Sequence, residues 1–329
     1  MKKIMNDPRN IVDEMLEGLV YTHSDLVKRV EGFSVIHRNH EKSGKVALVS
    51  GGGSGHEPSH AGFVGQGMLS AAVCGAVFTS PTPDQILEAI KVSDEGEGVL
   101  LIVKNYSGDV MNFEMAQEMA EMEGINVESI IVDDDIAVED SLYTQGKRGV
   151  AGTVLVHKIL GYYADKGLSL KEIKEKAEHV VKHIHTIGIA LTGVTTPEGG
   201  KESFTLENNQ IEYGVGIHGE PGYRTEELKE SKGLAEELFN KIKENFNHDA
   251  EYTYGILVNG LGGTPLMELY VFMNDVKLLS EKNELEIEFS KLGNLMTSLE
   301  MEGLSLTMIE FADTEWVEAL NYSVNTIAW

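Results

Sequence analysis

The chain is short of three things, and each shortage argues against a class of function. It has one cysteine, Cys74, in 329 residues. A single thiol cannot close an internal disulfide. Its place inside the apolar run Leu69 to Phe78 reads as a buried small hydrophobe, so a reducing compartment is expected. No segment approaches the ~18 consecutive apolar residues of a membrane span, and the start MKKIMNDPRN has two lysines with no apolar stretch behind them. A cytoplasmic location away from the membrane is the expectation. Basic residues are scarce as well: 27 Lys and Arg stand against 53 Asp and Glu, a formal net charge of -26. Such a chain is repelled by phosphate backbones and anionic lipid, which argues against nucleic acid and membrane surfaces as partners.

What is present is a long alternation of short apolar runs and helical patterns. KVALVS (45–50), LSAAVCGAVF (69–78), GVLLIVKNY (98–106) and VESIIV (127–132) read as strands. Between the second and third, Thr82, Pro83 and Gln85 predict a capped helix start, and NFEMAQEMAEMEG (112–124) predicts a helix stopped by Gly124. Strands alternating with helices imply βαβ units and a largely parallel sheet. GVAGTVLVHKILGYYADKG and SLKEIKEKAEHVVKHIHTIG read as two further helices. A second unit begins near IGIALTG, with a hairpin predicted from FTLE through Asn208-Asn209 to QIEYGVGIHG. After it come a charged helix over 225–246, the strand YGILVNG and a helix opened by Thr264 and Pro265. The expected fold is two α/β domains, 1–185 and 186–329, with mixed or parallel sheets flanked by helices. At 42% hydrophobic content over this length, two cores are within reach.

Ligands on such sheets bind beyond the carboxyl ends of the strands. The loops there are therefore candidate site material. GGGSGHEPSH (51–60) puts glycines after a buried strand, where backbone N–H groups can approach a small ligand closely. Gly53, Ser54, Gly55 and His56 are its candidate binding residues. It is neither a Walker A loop nor G-x-G-x-x-G, and a ligand-free tight turn is the alternative. His56-Glu57-Pro58-Ser59-His60 also fits the H-E-x-x-H zinc pattern. That chemistry needs one continuous helix, which Pro58 and the preceding glycines oppose.

A second loop, VKNYSGDVMNFE (103–114), holds Lys104 and Asp109 at and past a strand end. A lysine there can donate to a hydroxyl, and a carboxylate can take a hydroxyl proton; a surface ion pair or a helix cap is the plainer reading. In YGVGIHGEPGYR (213–224), His218 lies among glycines that leave its imidazole open to a ligand. An imidazole nitrogen can add to a carbonyl carbon, which would select ketones and aldehydes over alcohols. A turn histidine bonded to backbone remains the alternative. Asp133-Asp134-Asp135 leaves magnesium binding open against a solvated loop or helix cap.

Taken together, SGGGSGHEPSHAGF, SPTPDQI, VKNYSGDVMNFEMA, DDDIAVEDSLYTQGKRGVAGTVLVHK, GVGIHGEPG and VNGLGGTPLMELY resemble the K subunits of dihydroxyacetone kinases of the phosphotransferase-system-dependent type, across nearly the whole chain. The resemblance implies that dihydroxyacetone is held as a hemiaminal on His218, with His56 and Asp109 in acid–base and hydrogen-bonding roles. It implies substrate contacts from Gly53 and Lys104. It also implies no cofactor in this chain: ADP or ATP and magnesium are expected on a separate L subunit, recharged by a phosphotransferase-system phosphoryl carrier. A homodimer is expected. Some relatives sense dihydroxyacetone as non-catalytic co-activators of transcription regulators. They would be expected to keep the histidine and lose the activating groups, whereas His56, Asp109 and His218 are all present here.

Overall fold

The computed structural model describes residues 2–40, 42–138, 144, 146–247 and 251–329. The chain opens with helix α1 (Ile11–Thr22) and strands β1 (Val27–Arg29), β2 (Val35–Arg38), β3 (Ala47–Ser54) and β4 (Ala71–Val77). Helix α2 (Pro83–Ser93), β5 (Val99–Lys104), α3 (Ser107–Met122) and β6 (Val127–Val132) follow. These strands make one six-stranded sheet in the order β1-β2-β4-β3-β5-β6. β4, β3, β5 and β6 run parallel, and the antiparallel β1–β2 pair extends that sheet at β4. Every residue of β3 and β5 is buried, as expected of strands covered on both faces.

Helix α4 (Thr153–Asp165) and helix α5 (Leu170–Val180) lead into the second half. There β7 (Ile184–Ala190), β8 (Gln210–Tyr213), β9 (Arg224–Glu227), α6 (Ser231–Lys243), β10 (Thr253–Gly260), α7 (Leu266–Lys282), β11 (Ile287–Gly293), β12 (Gly303–Phe311) and α8 (Glu315–Asn321) complete the fold. The second sheet has the order β11-β10-β12-β7-β8-β9. Its β10–β11 pair is parallel and its other pairs are antiparallel, so both sheets are mixed, as expected, with four parallel strands in the first.

Packing arranges these elements in layers. α2 and α3 cover one face of the first sheet through Ile86, Leu87, Phe113 and Ala116, and α6 with α7 cover one face of the second through Leu238, Phe239, Leu269 and Phe272. Between the sheets lies a shared core that joins Leu48 and Leu100 to Leu257 and Ile309 through α4. Thr153 to Ala164 of that helix are all buried, the pattern of a helix surrounded on every side. Among the described residues no helix is long and apolar enough to cross a membrane.

Several local expectations need correction. FTLE is not a strand: β8 pairs with β9, and Phe204 instead joins a small cluster with Val194 and Val215. The pairing is locked where the Arg224 guanidinium lies 4.5 Å over the ring of its cross-strand partner Tyr213. As a result the charged helix starts at Ser231 rather than 225, and residues 214–223 become a loop that presents His218. Thr82 makes no side-chain cap bond to α2; the capping box belongs to Ser169 and Glu172 on α5. The reading of HIHTIG as helix fails too, since Ile184–Ala190 is a central strand of the second sheet.

Candidate functional site

The end of β3, the segments after β4 and β5 and the β8–β9 loop enclose a cavity of about 590 Å³. Gly53, Phe78, Tyr106, Asp109, His218 and Glu220 are among its walls. The first strand supplies glycines because there is no room for anything larger. A Cβ at Gly53 would sit 2.5 Å from the Thr79 nitrogen, and one at Gly52 would sit 2.4 Å from Lys104 Nζ.

His56 and His218 meet here across 162 residues of sequence, with their Nε2 atoms 3.1 Å apart. His56 is buried, stacked on Phe78 at 5.3 Å, and its Nδ1 lies 2.8 Å from the Thr297 carbonyl oxygen. A carbonyl only accepts, so His56 carries its proton on Nδ1 and leaves Nε2 bare. His218 must then donate its Nε2–H to His56. Burial pushes the His56 pKa down to about 3, with the Lys104 charge adding to the effect; His218 is also held well below its ordinary value by burial, with His56 and Lys104 reinforcing. Both rings are neutral at physiological pH, which is the state in which an imidazole can act as a nucleophile.

The His218 loop is braced from below. The His218 N–H donates to Glu220 at 2.9 Å, Glu220 lies 3.6 Å from Arg148, and Arg148 bonds Asp135 at 2.7 Å. A Cβ at Gly216 would fall 1.9 Å from Glu220 Oε1, so glycine there is what lets the brace close. The rings of Tyr106 and Phe78 stand edge-on to His218 at 4.4 and 5.5 Å. A second brace comes from the β11–β12 loop, where the Leu299 and Thr297 N–H groups donate to the carbonyls of Gly55 and His56.

Asp109 lies in the first turn of α3 and reaches the cavity wall. Its pKa is raised by burial, against the opposing pull of Lys104 and of a hydrogen bond from Ser80. Lys104 is fully buried and is not part of the wall; its ammonium is engaged by Gly51, His60 and Asp109. Ser54 donates to the Gly75 carbonyl at 2.7 Å and Gly55 N–H bonds the Glu57 carboxylate, so neither lines the cavity. The structure thus brings Gly53, Asp109 and His218 to one wall with His56 behind, and leaves Lys104, Ser54 and Gly55 in supporting positions. Phe78, Tyr106, Thr297, Arg148 and Glu220 carry no mark in the sequence reading, and Asp135 is read there as a magnesium candidate rather than as a brace for Arg148. Of the unmarked residues, Glu220 has a local signal, two residues past His218 in the same glycine-rich turn.

The metal alternatives lose their geometry. Residues 56–60 form turns rather than a helix, and His60 is spent on His157 and Lys104. Asp134 and Asp135 are buried rather than solvated. Asp134 accepts the N–H groups of Val150 and Gly152, and burial lifts Asp135 to about 6 despite Arg148. No cluster of three or more His, Cys, Asp or Glu is placed to hold a metal among the described residues. Residues 139–143 and 145 of the stretch that follows lie outside them.

The buried neutral histidines make stability fall on acidification. His56, His60, His157 and His218 all have folded-state pKa values below their unfolded value, so below about pH 6.5 the unfolded chain binds protons that the fold refuses. Each is expected to remove up to about 1.4 kcal/mol of stability per pH unit. Urea unfolding at pH 7, 6 and 5 checks this, and an unchanged midpoint would contradict it.

Comparison with known proteins bears on the family. Residues 17–328 match the Dak1 domain family. The chain is 66% identical, over all of its length and 99% of the other, to the PTS-dependent dihydroxyacetone kinase, dihydroxyacetone-binding subunit DhaK of Lactococcus lactis. It is 44% identical to the DhaKLM operon coactivator DhaQ of the same organism, covering 99% of this chain and all of that one. Among solved structures, the native dihydroxyacetone kinase of C. freundii superposes with a TM-score of 0.92 at 34% identity, covering all of this chain and 60% of that one. The chain belongs to the Dak1 family, that of the K subunits of dihydroxyacetone kinases and their relatives.

Proposed function

We propose that the chain is the dihydroxyacetone-binding subunit of a phosphotransferase-system-dependent dihydroxyacetone kinase. In this reading it holds the ketone as a hemiaminal on His218 while a phosphoryl group arrives from a nucleotide on a partner L subunit. The observation that carries the reading is the bare Nε2 of His56 set 3.1 Å from the Nε2 of His218, at a cavity that Asp109 also lines.

The chemistry follows from the proton positions. His218 Nε2 bonds to the carbonyl carbon, and its proton passes to His56 Nε2. The C=O π bond opens, and the oxygen takes that proton back from His56, giving a neutral tetrahedral N–C–OH centre. Neither nitrogen carries charge at the start or the end, which suits a buried pair. The two hydroxymethyl arms are then fixed, and one faces Asp109. Its carboxylate takes the hydroxyl proton as that oxygen attacks the phosphoryl group, and positioning supplies most of the rate. Ser107 and Gly108 bring the N-terminal turn of α3, a 16-residue helix, to the cavity, where developing phosphate charge is favourable. In this proposal the nucleotide and its magnesium reside on the partner L subunit. The homodimer remains part of this proposal.

His56→Ala is expected to slow adduct formation by ~10²-fold or more, because His218 loses the base for its Nε2 proton. Stopped-flow mixing with ketone reads this, and a wild-type rate would remove His56 from the scheme.

The co-activator reading draws on the DhaQ relative and needs only the ketone-holding histidine. Asp109 at the wall, backed by Lys104, favours the kinase. The test is dihydroxyacetone phosphate production from phosphoenolpyruvate with an L subunit and phosphotransferase carrier proteins added. Product formation is expected; adduct without product would favour the co-activator.

A further inference from the structure

A second polar chain, separate from the His56–His218 pair, runs from Asp109 into the middle of the fold. Lys104 Nζ lies 3.6 Å from Asp109 Oδ2, 3.1 Å from the Gly51 carbonyl oxygen and 3.1 Å from His60 Nε2. His60 Nδ1 lies 2.9 Å from Nε2 of His157, a residue of the fully enclosed stretch of α4. Lys104, His60, His157 and Asp109 are all buried. Four polar side chains in this setting cost desolvation that leucine would not, and nothing in the ketone chemistry above uses His60 or His157.

The hydrogens along this chain can be counted. The Gly51 carbonyl can only accept, and so can an Asp109 carboxylate. An ammonium on Lys104 has three N–H groups, one for each of Gly51, Asp109 and His60 Nε2. His60 then holds its proton on Nδ1 and donates it to His157 Nε2. His157 Nδ1 ends the chain, buried and without a hydrogen-bond partner among the described residues. A neutral Lys104 amine would need the reverse order, with His60 Nε2–H donating to Nζ and His157 Nε2–H donating to His60 Nδ1, so the position of the His60 proton reports the charge on Lys104.

We propose that His60 and His157 are positioning residues for phosphoryl transfer, which hold Lys104 as a fixed ammonium and thereby keep Asp109 ionised at the cavity wall. The proposal rests on Asp109 being the base in the reaction above. Burial on its own pushes Lys104 toward the neutral amine and Asp109 toward the protonated acid. The bare Nε2 of His60 opposes this by giving the ammonium its third acceptor. Among the described residues, the other ionisable groups around the chain include His56, His218, Tyr106, Asp135, Arg148 and Glu220, and the variants below leave all of them in place.

The test compares wild type, His60→Ala, His60→Gln and His157→Ala, each assayed with L subunit across pH at saturating ketone. In His60→Ala, Lys104 loses an acceptor and Asp109 loses counter-charge. The acidic limb of the kcat profile is expected to move up by about one pH unit, with kcat down ~10-fold on that limb. Adduct formation is expected to stay at the wild-type level. His157→Ala should move the limb in the same direction by less, and His60→Gln should restore it by returning an acceptor near the Nε2 position. An unmoved limb, or a joint loss of adduct and kcat that His60→Gln does not rescue, would overturn the proposal. Nitrogen-15 NMR of the imidazoles in the wild-type chain gives a readout independent of turnover. His60 should carry its proton on Nδ1. A proton on His60 Nε2 would sink the proposal even if the kinase reading stands. Absent turnover with His60 protonated on Nδ1 would instead overturn the kinase reading and the transfer role that rests on it, while the charge on Lys104 would stand.

Discussion

His218→Ala is expected to abolish the covalent complex with dihydroxyacetone and to reduce phosphoryl transfer by at least ~10²-fold, the scale lost when a substrate is no longer held in its reactive geometry. The cavity of about 590 Å³ is far roomier than a three-carbon ketone needs, so apolar contact alone cannot fix the ligand. The bond to His218 does that work, and it also rejects glycerol, which has no carbonyl carbon to attack. Native mass spectrometry of wild type with ketone should show one added substrate per chain, and the variant should show none. The loop itself should survive the substitution, because Glu220 is held by the backbone N–H of residue 218 and by Arg148, not by the imidazole. An adduct of undiminished abundance in the variant would place the bond elsewhere.

Asp109→Asn separates holding from transfer. The amide keeps the size of the carboxylate at the wall and leaves the His56–His218 pair untouched, so the adduct should form as in wild type. It cannot take a proton, and transfer is expected to fall ~10²- to 10⁴-fold, the range for loss of a general base. Lys104 also loses its anionic neighbour in this variant, which adds to the deficit. Turnover within a few-fold of wild type would show that the substrate hydroxyl needs no base from this chain. Loss of the adduct together with transfer would mean that Asp109 shapes the cavity rather than acting in it.

The legible parts of this protein were those whose cause is local. β3, β5 and β6 announce themselves as apolar runs, and the glycines in the second half of β3 mark the close approach that Lys104 and Thr79 impose. His218 stands out because glycines flank it, and the steric conflict at Gly216 explains one of them. What stayed hidden depends on partners distant in sequence. Thr297 sets the His56 tautomer from 241 residues away with a backbone carbonyl, which has no residue signature. The partner of β8 is hidden because FTLE looks as strand-like as RTEE, and the structure has Arg224 stacked on Tyr213 with Phe204 packed elsewhere. His157 reads as one more residue of an apolar helix until α4 is seen to lie between two sheets. The acidic triplet misled for a similar reason: Asp134 and Asp135 look like a solvated loop, yet they are buried against backbone N–H groups and Arg148.

Bound dihydroxyacetone labelled with carbon-13 at its central carbon offers the sharpest view of the chemistry. On wild-type chain at neutral pH that carbon should leave the ketone region of the spectrum for the region of tetrahedral carbon, and should show coupling to nitrogen when the histidines carry nitrogen-15. A bound ligand whose central carbon keeps its ketone resonance would mean that residue 218 touches the substrate without ever bonding to it.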